Sequence, residues 1–71
     1  MNDSAVRTLQ NAIKEKPVFD DEKKELVYNL AGVLEKLGKK EEAFEQLKLI
    51  YEVDTGYKDV AERVEKYYGG Q

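Results

Sequence analysis

Apolar positions along this chain recur three and four residues apart, in four blocks separated by short polar stretches. That spacing lines one face of a 3.6-residue helix, so the pattern predicts four amphipathic helices and no strands. The first block, Ala5, Val6, Leu9, Ala12 and Ile13, predicts a helix over about residues 4–16, with Asp3 or Ser4 as cap and Pro17 as terminator. The second is Leu26, Val27, Leu30, Ala31, Val33, Leu34 and Leu37. Asp20, Asp21 and Glu22 precede it, where carboxylates suit the positive end of a helix dipole. Gly38 follows it, suited to a left-handed helix end. The third block, Ala43, Phe44, Leu47, Ile50 and Tyr51, predicts a helix over 40–53. Only a few residues join it to the second, so these two should form an antiparallel hairpin. Asp54-Thr55-Gly56 breaks the pattern, and Tyr57, Val60, Ala61, Val64, Tyr67 and Tyr68 predict a last helix over 57–68, ahead of a frayed Gly69-Gly70-Gln71. Tyr57 and Tyr68 should pack inward, whereas Tyr67 is assigned to the outer face.

The blocks repeat. Val27 and Ala61, Leu30 and Val64, and Leu34 and Tyr68 are each 34 residues apart, while Ala5 aligns with Ala43 and Leu9 with Leu47 at a separation of 38. The extra four residues amount to about one helical turn, accounted for by Val18-Phe19-Asp20-Asp21. Leu30, Ala31 and Leu34 form a Leu-small-x-x-large arrangement, Gly38 stands at the turn, and Ala43, Leu47 and Ile50 follow a small-large-small order. In the first helix Ala5, Leu9, Ala12 and the closing Pro17 do the same.

On these residues and a period near 34, the chain resembles the tetratricopeptide repeat family. It departs from the family's pattern at Val27, where an aromatic is usual, at Ile50, where a small residue is usual, and at Thr55, where a closing proline is usual. The resemblance implies an all-α fold of about four helices, arranged as antiparallel hairpins in part of a right-handed solenoid. Residues 4–17 then correspond to the second helix of a preceding repeat, 20–55 to one complete repeat and 57–68 to a capping helix. The chain would be the C-terminal portion of a longer array. Its first helix would then lack a mate, leaving Val6 and Ile13 facing water and favouring weak self-association through that helix.

Composition narrows the chemistry. The chain has 71 residues, no Cys and no His, so disulfides, thiolate metal sites and the commonest general base are all absent. Ser4 and Thr8 have no His to activate them, and the carboxylate runs 20–22 and 41–42 sit in the most polar stretches. No enzymatic activity and no cofactor are expected. A net charge of −3 argues against a general nucleic-acid binder. A helix-turn-helix reader would need several basic or amide side chains early in its recognition helix, where this chain offers Lys58 and then Asp59 and Glu62. No apolar run approaches the roughly 20 residues of a membrane span and no signal-peptide pattern opens the chain, so a cytoplasmic location is the default expectation.

What remains is binding. In the family it resembles, first helices line a concave groove that holds a peptide or a partner helix. Carried over, that groove is Glu25, Tyr28, Asn29, Gly32, Glu35 and Lys36 on the second helix, with Arg63 and Lys66 contributed by the last. Their spacing sets the first six beside the packing stripe rather than on it. Asn29 offers an amide to a peptide backbone and Gly32 offers close approach. Some members that bind chaperones clamp a terminal carboxylate. Asn29 and Arg63 match two such places, but Tyr28, Asp59 and Glu62 supply no cation. The leading expectation is a protein-interaction module, and the alternative is self-association with an empty groove.

Overall fold

A computed structural model of the chain describes residues 2–69, the side chain of Asn2 excepted. It is all-α, with helices α1 (Asn2–Lys14), α2 (Asp21–Lys36), α3 (Lys40–Val53) and α4 (Val60–Gly69), and no strand among the described residues. None of the helices is long and apolar enough to cross a membrane.

Local chemistry explains the boundaries. Asp3 and Ser4 lie inside α1 rather than ahead of it. The helix stops at Lys14, and Glu15 and Lys16 turn out of it before Pro17, with the Lys16 N–H still reaching the Ile13 carbonyl at 3.1 Å. Freed from the helix, the Lys16 ammonium pairs with Glu22 at 2.7 Å and Asp20 at 3.5 Å, which ties the α1–α2 connection to the start of α2. Asp20 caps α2, its carboxylate accepting the Lys23 N–H at 2.9 Å. At the other end Gly38 takes φ +81°, as its position requires. The Lys39 N–H then reaches back to the Leu34 carbonyl and the Gly38 N–H to the Glu35 carbonyl, both at 2.9 Å. This paired closure turns the chain directly into α3.

The last helix starts at Val60 and not at Tyr57. Lys58 adopts φ +44°, a left-handed conformation that an α-helix cannot contain, so residues 55–59 form turns. Gly69 closes α4, while Gly70 and Gln71 lie outside the described residues.

Buried residues come from three helices: Val27, Leu30, Ala31 and Leu34 of α2, Ala43, Phe44, Leu47 and Ile50 of α3, and Val60 and Val64 of α4. Ala31 and Ala43 leave room for α2 and α3 to approach closely. Among the described residues, close backbone packing joins α1 to α2, α2 to α3 and α3 to α4, and no other pair. The helices therefore stack in chain order and do not close into a ring. The Cα envelope, 32 by 27 by 14 Å, has the thickness of two helix layers: axes about 8–10 Å apart plus a backbone radius of about 2.3 Å on each side.

Two expectations are corrected here. Val6 and Ile13 do not face water: with Leu9 they are half-buried against the core, because the apolar stripe of α1 turns as a single face onto α2. Among the described residues, the exposed large apolar side chains are Val18, Leu49, Val53 and Tyr68 instead. Tyr57 packs against the core as expected, but Tyr67 and Tyr68 exchange places. Tyr67 stacks on Phe44 with ring centroids 4.0 Å apart, while Tyr68 is 57% exposed and meets Phe44 only edge-on. Tyr67 lies three residues after the buried Val64 and seven after Val60, and that spacing already places it on the packing stripe.

Candidate functional site

The residues assigned to the groove separate into two groups, with Lys66 apart from both and exposed on α4. Glu25, Asn29 and Lys36 are exposed on α2, and Gly32 is half-buried with nothing within 4 Å of the place a Cβ would occupy. This strip of α2 is open surface. Tyr28, Glu35 and Arg63, by contrast, meet one another across α2 and α4 and fasten the two helices together.

The Tyr28 hydroxyl donates to Asp59 at 2.6 Å, and its ring meets Tyr57 edge-on at 6.0 Å. Lys58 sits 5.0 Å above the Tyr28 ring, and the Arg63 guanidinium, 5.9 Å from the same ring, forms an ion pair with Glu35. The hydrogen bond to Asp59, helped by partial burial, holds the Tyr28 phenol above the usual tyrosine range. The Glu35 carboxylate likewise raises Arg63, so the guanidinium stays charged at any practical pH. The left-handed Lys58 thus has a use, since the turn it makes delivers Tyr57, Lys58 and Asp59 to the side of α2.

A second fastening lies at the start of α2. Lys24 donates to Asp54 at 2.9 Å, and Asp54 also accepts the Gly56 N–H at 3.1 Å, which shapes the turn after α3. The Lys24 hydrogen bond holds Asp54 below the usual carboxylate range, and the Lys23 N–H does the same for Asp20. Depressed carboxylates contribute stability that is complete above the ordinary aspartate pKa, near 4, and is lost as pH falls through the lowered folded-state values. Thermal melting should therefore be level from about pH 7 to 5 and begin to fall below about 4. In an Asp20→Asn, Asp54→Asn double variant the melting temperature should be lower at neutral pH and the acid drop shallower.

Where the end of α2, the start of α3 and the second half of α4 meet, the surface opens into a cleft of about 400 Å³. Its apolar floor is Phe44, Leu47 and Tyr67, and its rim is Glu35, Lys40, Arg63 and Lys66. Glu35, Arg63 and Lys66 were expected at a binding surface. Lys40, Phe44, Leu47 and Tyr67 were not, although Lys40 and Phe44 lie one turn apart and so share a face of α3. The cleft can hold a ligand with an apolar part and a negative part. No family model, curated protein or solved structure matches the chain, so its functional reading stands on this geometry and on its sequence.

Proposed function

We propose that this chain is a non-catalytic protein-interaction module of tetratricopeptide-like organisation, which takes a peptide or partner helix along the α2 and α4 side of its helix stack. The observation that carries this reading is the serial packing of the helices, which leaves the Glu25, Asn29, Gly32 and Lys36 strip of α2 uncovered beside α4. A closed bundle would surround its core with helices on every side, whereas a stack keeps one edge open to a partner. The 34-residue spacing of Leu30 and Val64, both buried, supports the same reading, whereas Tyr68, aligned with the buried Leu34, is exposed. A cytoplasmic setting and the absence of a cofactor belong to it.

The test is selection of random displayed peptides against the folded chain, followed by amide chemical-shift mapping with the selected sequences. Micromolar binders that shift α2 and α4 amides, Asn29, Gly32, Arg63 and Lys66 among them, are the expected result. Enrichment of nothing, or shifts confined to α1, would overturn the reading.

Self-association is the second reading. Leu49 and Val53, one turn apart on α3 and both about half exposed, support it in place of the N-terminal helix. Sedimentation of the parent beside a Leu49→Lys, Val53→Glu variant separates the two, since only self-association would make the parent's mass depend on concentration and leave the variant monomeric.

A further inference from the structure

We infer that the cleft between α3 and α4 binds an acidic peptide segment built around one aromatic or branched aliphatic side chain. The inference rests on the interaction-module reading and names the partner's chemistry at one end of the same surface.

Charge is the first ground. The chain as a whole carries −3, yet the cleft rim holds three cations, Lys40, Arg63 and Lys66, against one carboxylate, Glu35. Glu35 is already paired with Arg63. Lys40 and Lys66 are exposed and make no ion pair among the described residues, so the cleft keeps a local positive excess on an acidic protein. Outside the cleft, Lys16 is neutralised by Asp20 and Glu22, and Lys24 by Asp21 and Asp54.

The floor is the second ground. Phe44 and Tyr67 are stacked face to face over the core, 14° apart with centroids at 4.0 Å, and because Phe44 and Leu47 are buried the half-buried Tyr67 is the ring of this platform that meets solvent. An apolar side chain laid on that platform removes carbon surface from water on both partners. A volume of about 400 Å³ lies at the lower end of ligand-sized sites and accommodates one such side chain with its flanking residues. Carboxylates one or two positions to either side then reach Lys40 on α3 and Lys66 on α4.

The combination excludes simpler ligands. A nucleic-acid backbone needs a continuous cationic track, and here two free lysines are set in an acidic surface. A purely apolar partner would leave both lysines without counter-charge. Long-range repulsion from the net negative chain opposes acidic peptides in general, so the affinity has to come from this one place.

The probe is a fluorescein-labelled decapeptide of alternating Asp and Gly with one central Phe, titrated into the full chain at low ionic strength and read by fluorescence anisotropy. Two control peptides replace the Phe by Ser or every Asp by Asn. The parent should bind the first peptide in the micromolar range and each control at least about fivefold more weakly. A Lys40→Ala, Lys66→Ala variant should keep the parent's circular dichroism and also lose about fivefold. Added salt should weaken the parent more than the variant. Equal binding of the Ser control would mean diffuse charge attraction, and an unaffected double variant would mean another site; either result overturns the inference. Peptides selected at random that shift only the Asn29 and Gly32 amides would overturn it while leaving the interaction-module reading intact. Failure of both the acidic probe and the random selection would remove both.

Discussion

Replacing Leu30 or Leu47 with Ala is expected to leave the chain largely unfolded at 25 °C. Both side chains are almost completely buried, one on each arm of the α2–α3 hairpin, within the single core cluster. Leu→Ala changes in packed cores cost about 2–5 kcal/mol, from the lost transfer free energy together with the cavity left behind. A domain of 71 residues has a total of about 4–10 kcal/mol at ordinary per-residue stabilities. No disulfide supplements that core, since the chain contains no cysteine. Urea titration followed by far-ultraviolet circular dichroism measures the loss, and two variants with midpoints near the parent's would show that the hairpin does not hold the fold together.

Val64→Asp should be at least as damaging and should act through α4. Val60 and Val64 are the only fully buried residues of that helix, and Val64 lies one turn from the platform made by Tyr67 and Phe44. A carboxylate at that place has no cation in the core to pair with, because no charged residue is buried among the described residues. Leaving it unpaired costs several kcal/mol, about 3 or more, whether the group stays charged or takes up a proton. Undocking α4 would expose Phe44 and remove the Tyr28–Asp59 and Glu35–Arg63 ties together. The near-ultraviolet tyrosine signal should therefore collapse along with the helical one. A variant that lost the tyrosine signal but kept three cooperative helices would show α4 to be an appendage of the hairpin.

The α2–α4 ties also bear on binding. Arg63 is engaged by Glu35 and by the Tyr28 ring, so it holds the two helices in register and shapes one wall of the cleft. The two lysines beside it carry the charge that a ligand would meet.

Helix number, type and approximate place were legible in the sequence because each follows from local periodicity. Apolar residues at spacings of three and four, Gly38 after Leu37 and Pro17 after Lys16 act within one or two turns of backbone, and α3 matches its expected span of 40–53. The hairpin was legible for the same reason, since a connection of three residues leaves the chain nowhere else to go. The start of α4 was not legible. The spacing of Tyr57 and Val60 suits a helix, but the left-handed Lys58 gives way to contacts with α2 that no local pattern encodes.

The partition of the surface residues was decided by tertiary structure alone. Tyr28, Gly32 and Glu35 share a side of α2, and only the position of α4 made Tyr28 and Glu35 into ties while leaving Gly32 open. Val6 and Ile13 were covered, and Leu49 and Val53 left exposed, by the direction in which α1 and α4 approach the hairpin. The cleft combines residues of three helices that are up to 32 positions apart, from Glu35 to Tyr67. A helical repeat specifies which residues share a face; which faces meet, and where they leave a gap, depends on how whole helices pack.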